Sequence, residues 1–261
     1  MRRSGFCLFG KGYLALLILI LLSGACVAST PAPSLTVAAA ADLHFAFREI
    51  GELFQQETGI PVTFSFGSTG LLTQQIENGA PFDLLAAANE AYIDQLEQKG
   101  LILPDSRQLY AQGRIVIAVN RASGLDVKTL ADLVDPAISR IAIANPEHAP
   151  YGLAAQQALE SAGVWQAVQD RLVLGQNVRQ ALQFVQTGDA PVGVVALSVA
   201  NVPEVHYTLI PAELHQPINQ ALAIVRTSAH PDVARRFIEF VNGPQGRRVM
   251  KRYGFRLPGE F

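Results

Sequence analysis

The chain has 261 residues, of which 49% are hydrophobic, 16% charged and 8% aromatic. That is room for one large domain or two lobes with cores of their own, and too hydrophobic a composition for disorder. Lys and Arg number 20 against 22 Asp and Glu, a balance that does not suit a nucleic-acid surface.

Residues 1–29 have the order of a secretory signal. Arg2, Arg3 and Lys11 form a basic start, residues 13–22 are apolar, and small residues follow at Ser23-Gly24-Ala25 and Val27-Ala28-Ser29. The apolar run is short for a membrane span. An uncleaved anchor is one alternative. Lipid attachment at Cys26 is another, although Leu22 stands one place too early for it. Beyond the segment the chain carries 17 basic and 22 acidic residues, net −5, and no cysteine, since Cys7 and Cys26 are the two present. Disulfides, thiolate nucleophiles and thiolate metal sites are thereby excluded from the exported part.

From residue 34 the pattern alternates. Strands are expected at 35–39, 62–66 and 83–87, with helices at 43–58, 71–78 and 90–98 between and after them. A second series follows, with strands at 114–120, 140–144, 172–174 and 192–195 and helices at 128–134, 151–162 and 178–186. Strands at 206–210 and 221–225 precede two closing helices at 231–242 and 244–253, each opened by a proline. This order predicts an α/β protein of two lobes, each a mostly parallel sheet with flanking helices and a ligand cleft between them. The lobes are expected at 30–116 with 220–261, and at 117–219.

One junction recurs: strand, small polar turn, helix start. It stands at Ala40-Ala41-Asp42-Leu43, Gly67-Ser68-Thr69-Gly70, Ala149-Pro150-Tyr151-Gly152 and Gln176-Asn177-Val178. Helix starts leave backbone N–H groups unpaired and carry partial positive charge, so several aimed into one cleft make an anion site without Lys or Arg. Each piece also has a plainer reading. Ser68 and Asn177 are good helix N-caps, and Tyr151 is a candidate packed aromatic. Other chemistry lacks its motif. The five histidines share no zinc spacing, the Gly67-to-Gly70 turn lacks the Lys of a nucleotide loop, and no Gly-x-Ser-x-Gly elbow is present.

The stretches Val37-Ala38-Ala39-Ala40-Ala41-Asp42-Leu43, Phe66-Gly67-Ser68-Thr69-Gly70 and Asn78-Gly79-Ala80-Pro81-Phe82-Asp83 are followed by Ala149-Pro150-Tyr151-Gly152, Asn177-Val178 and Lys251-Arg252-Tyr253-Gly254-Phe255. In this order the chain resembles the molybdate-binding proteins of ABC importers, of the type II periplasmic-binding fold, from Leu35 to Phe255. The resemblance implies a monomeric, non-enzymatic receptor outside the cytoplasmic membrane, without cofactor. It would take molybdate, and tungstate with it, to a membrane permease. It implies an oxyanion site at Ala41, Asp42, Ser68, Thr69, Tyr151, Asn177 and Val178. Ser68 would give its hydroxyl and N–H, Tyr151 and Val178 their N–H groups, and Asn177 would orient its turn. The only metal concerned is the one inside the oxyanion, reached through donors on Ser68, Tyr151 and Val178.

The first loop departs from the family, which has Ser, or Thr followed by Asn, where this chain has Ala41 and Asp42. Ala41 has no hydroxyl, and an ionised Asp42 facing a dianion would repel it. Turned outward, Asp42 would cap the helix starting at Leu43 and leave its N–H to the ligand. Two further readings stay open: the same fold with another oxyanion or a metal chelate, and a secreted enzyme using Asp42 and His148 as acid and base.

Overall fold

The computed structural model describes residues 34–261 together with residues 1, 2 and 5. Apart from those three, the expected signal segment, with Cys7 and Cys26, lies outside the described residues. Among the described residues no helix is long and apolar enough to cross a membrane.

Residues 33–261 form one compact unit around two five-stranded sheets. The first contains β1 (Leu35–Ala40), β2 (Val62–Gly67), β3 (Leu84–Ala87), β4 (Gln108–Gly113) and β10 (Ile218–Ile224), in the order β2-β1-β3-β10-β4. The second contains β5 (Ile115–Asn120), β6 (Ile141–Ala144), β7 (Leu172–Gly175), β8 (Val192–Ala196) and β9 (Val205–Leu209), in the order β7-β6-β8-β5-β9. In each sheet four strands run one way and the fourth in spatial order, β10 or β5, runs against them. Each sheet is therefore mixed: two of its four pairings are parallel, in keeping with the alternating pattern, and the two made by β10 or β5 are antiparallel.

The chain passes from the first sheet to the second at Arg114 and returns between Leu209 and Ile218. Ile115 and Val116 pair with β8, and Ile218 and Asn219 with β4. Strand β4 has no counterpart in the sequence reading.

Strand β1 shows why such strands read as continuous apolar runs. Val37 and Ala39 face one core and Ala38 the other, all fully buried. Helices α1 (His44–Thr58), α2 (Thr69–Glu77) and α3 (Glu90–Gln98) cover the first sheet, and α1 stops where Gly59 adopts a left-handed φ of 74°. Helices α4 (Pro150–Ser161), α5 (Trp165–Val168), α6 (Val178–Thr187) and α7 (Leu197–Ala200) belong to the second series. The closing helices α8 (Pro231–Asn242) and α9 (Pro244–Arg252) return to the first sheet, where Phe237 of α8 meets Phe47 and Phe54 of α1 edge-on at 5.9 and 5.3 Å. The expected helix at 128–134 is a 3-10 turn, Leu130–Val134, opened by a capping box of Thr129 and Asp132.

Candidate functional site

The helix starts that recur in the sequence sit at the carboxyl ends of neighbouring strands. Ala41–Leu43 is a 3-10 turn after β1, and α2 starts after β2. In the other sheet α4 follows β6 and α6 follows β7. In an open parallel sheet this edge is where ligands are held. All seven expected residues, Ala41, Asp42, Ser68, Thr69, Tyr151, Asn177 and Val178, line one cavity there. It is small, spanning about 190 Å³ counting its mouth. No Lys or Arg lines it, and Asp42 is its one carboxylate.

The donors differ in kind. Tyr151 is the second residue of α4 and Val178 the first of α6, positions whose N–H groups have no partner within the helix. Asn177 caps α6, its side-chain oxygen accepting from the N–H groups of Arg179 and Gln180 at 3.0 and 3.1 Å. That cap fixes the turn and leaves the Val178 N–H to the cavity. Ser68 stands at the N-cap position of α2 but does not use its hydroxyl for capping. Its Oγ lies 2.8 Å from His148 Nδ1, across from the other sheet's loop. The hydroxyl keeps its proton for a ligand when Nδ1 carries the ring proton and donates to Oγ. Thr69 is fully buried, and its Oγ1 accepts from the Ala88 N–H at 3.0 Å, anchoring the end of β3.

Asp42 does not take the outward, capping course. It does not cap α1, which has no side-chain cap. The carboxyl is 1% exposed, and its Oδ2 accepts from Tyr151 Oη at 2.9 Å and Gln220 Nε2 at 2.7 Å. Gln220 also donates to Tyr151 Oη at 2.9 Å, and Tyr110 Oη donates to Gln220 Oε1 at 2.7 Å. The second carboxyl oxygen, Oδ1, is buried with no partner among the described residues. Burial raises the Asp42 pKa from 3.8 to about 6, against the opposing hydrogen bonds from Gln220 and Tyr151. Burial likewise holds the Tyr110 and Tyr151 hydroxyls well above their ordinary pKa, with the Asp42 charge adding to it.

Gly113, at the end of β4, makes this network possible. A Cβ there would overlap Tyr151 Oη. Gly70 serves the other contact across the cleft. Its N–H donates to His148 O at 2.9 Å, and a Cβ at Gly70 would stand 2.7 Å from that oxygen. Ser198 Oγ of α7 adds a third cross-link, donating to Asp42 O at 2.8 Å. Tyr110, Gly113, Ser198 and Gln220 were not singled out in the sequence. Their roles arise only once β4, β10 and α7 are brought beside the Ala41–Leu43 turn.

The acid–base pair of the enzyme reading does not form. Among the described residues no hydrogen bond joins Asp42 to His148, which pair instead with Tyr151 and Gln220 and with Ser68. The Ser68–His148 contact has the distance of a nucleophile and its base, but among the described residues no carboxylate orients the His148 ring. Among the described residues there is also no group of three or more His, Cys, Asp or Glu able to hold a metal ion.

The chain is similar in sequence and fold to known proteins. The bacterial extracellular solute-binding protein family matches residues 35–256. The molybdate-binding protein ModA of Azotobacter vinelandii is 34% identical over 248 residues, spanning 94% of this chain and 98% of its own. ModA of Rhodobacter capsulatus is 33% identical, over 84% of this chain and 86% of its own. The solved periplasmic molybdate-binding protein of A. vinelandii superposes with a TM-score of 0.80 at 32% identity, covering 86% of this chain and 99% of that one.

Proposed function

The chain belongs to the bacterial extracellular solute-binding protein family, and from that premise we propose that it captures molybdate, and tungstate with it. It works outside the cytoplasmic membrane, as a monomer, and passes the anion to the permease of an ABC importer. The observation that carries this reading is the cavity itself. It is small, cation-free and lined by helix starts from both sheets.

A tetrahedral dianion in this cavity is held by dipoles. The first turns of α4 and α6 present the N–H groups of Tyr151 and Val178 from one lobe, and Ser68 presents its hydroxyl and N–H from the other. Such donors need no counter-ion, so the net −5 of the exported chain is opposed locally, within the roughly 8 Å over which salt screens. Discrimination follows from size and protonation. Donors set for a large oxyanion make longer, weaker bonds to sulfate, and a protonated phosphate brings a hydrogen that the N–H and hydroxyl donors of Ser68, Tyr151 and Val178 do not accept. The contacts from Ser68 and Gly70 to His148, and from Ser198 to Asp42, then hold the two lobes closed over the ligand.

Position 178 gives a direct test. Val178 is the first residue of α6, where proline is tolerated, and Asn177 before it is extended, at φ −156° and ψ 173°. Val178→Pro removes one N–H and keeps the helix. The account predicts a loss of molybdate affinity of about tenfold or more, the value of a hydrogen bond to a charged group, with the circular dichroism spectrum unchanged. Unchanged affinity in a folded variant would place the anion elsewhere.

A further inference from the structure

The network around Asp42 fixes which oxygen can carry a proton. Tyr110 Oη donates to Gln220 Oε1, so the Gln220 amide presents Nε2 to the site. The two hydrogens of Nε2 go to Asp42 Oδ2 and Tyr151 Oη, and the Tyr151 hydroxyl hydrogen goes to Oδ2 as well. Oδ2 thus accepts twice and has no place for a proton of its own. Oδ1 is the remaining oxygen, buried and without a partner among the described residues, on a residue that lines the cavity.

We propose that Asp42 binds the oxyanion as a neutral acid, donating an Oδ1–H to it, so that each ligand bound brings one proton into the site. The proposal rests on the oxyanion reading. One proton leaves solvent and forms the O–H bond on Oδ1, and no bond within the ligand changes. Ionised, the same oxygen would set a buried negative charge against a dianion at contact range. Protonated, it becomes one more donor in a wall of donors.

The surroundings favour this proton. Burial already places the carboxyl near half-ionisation at about pH 6 without any anion, and a neighbouring dianion raises it further. The groups facing Asp42 are uncharged: Tyr110 from β4, Tyr151 from α4, Ser198 from α7 and Gln220 from β10. The nearby titratable or charged side chains are His44 and Arg48 of α1, Arg179 of α6, and His148 against Ser68. The influences that set the Asp42 carboxyl are burial and hydrogen bonds, with no cation among them.

Calorimetric titration with sodium molybdate from pH 6 to 8.5, repeated in buffers of different ionisation enthalpy, tests it. The intact protein should take up close to one proton per anion at pH 8, and its affinity should fall about tenfold per pH unit above pH 7. Asp42→Asn offers an N–H where the acid has its O–H and keeps an oxygen for Tyr151 and Gln220. It should bind without proton uptake, with a flat profile and more tightly than the parent at pH 8. The variant retains both histidines, so any slope they cause would persist in it. Tight parental binding with no buffer dependence and no slope would overturn the proposal. Absence of molybdate binding by both proteins at every pH would overturn the oxyanion reading, and this proposal with it.

Discussion

Tyr151 illustrates how much of the site hangs on single atoms. Its hydroxyl reaches Asp42 because β4 ends in a residue without a side chain, so Gly113→Ala should push the ring away and take one donor from a buried carboxyl oxygen. The expected cost is about 1–3 kcal/mol, read as a lower denaturation midpoint. Asp42 itself links stability to pH. Its pKa is raised on folding, from 3.8 to about 6, so the stability it contributes is fully present below pH 3.8 and is lost as pH rises through 6. Asp42→Asn does not titrate, and between pH 4 and 7 it should gain about 2 kcal/mol on the parent, at about 1.4 kcal/mol per pKa unit with part of the shift already expressed at pH 4. Paired urea titrations at those pH values measure that gain, and a constant difference would show that Asp42 is not desolvated. The seven expected residues that line the cavity each lie in a local strand–turn–helix junction, a pattern legible in the sequence. The fate of the Asp42 side chain was not, because its partners Tyr151 and Gln220 lie 109 and 178 residues away.

Among the elements, the four helix starts that shape the cavity are positioned by pairs of adjacent parallel strands, β1 with β2 and β6 with β7. Their registers place Ala40 beside Gly67 and Ala144 beside Gly175, so the turns that follow leave each sheet at matching heights. Asn177 holds the α6 end of this arrangement. Asn177→Ala should cost about 1 kcal/mol of stability through the lost cap, and it should weaken molybdate binding by loosening the turn that aims the Val178 N–H. Thermal unfolding and titration of the same sample check both effects. Element types were readable wherever apolar runs or amphipathic spacing were strong, as in β1, α1 and α8. Strand β4 was not readable, because Gln108–Gly113 mixes polar and apolar residues without clean alternation. It becomes a strand by antiparallel pairing with β10, about a hundred residues later, across a register shift at Gln220 and Ala221.

For the whole molecule, two sheets of the same spatial pattern are joined by only two passages of chain, at Arg114 and between Leu209 and Ile218. Few covalent links and a cavity between the sheets suit a hinge. The bonds across it include Ser68 and Gly70 to His148, Tyr151 and Ser198 to Asp42, and Gln220 to Tyr151. Binding then lies in the balance between those bonds plus the ligand's own, and the solvation of an open cleft. Ser68→Ala removes a ligand donor and a closing contact together, so it should weaken molybdate binding at least severalfold. The decisive measurement is calorimetric titration of the chain from residue 30 onward with molybdate, tungstate, sulfate and phosphate at one salt concentration. The account predicts saturable, one-to-one binding of molybdate and tungstate and none of sulfate or phosphate. Equal binding of sulfate, or no heat with any of the four, would contradict it.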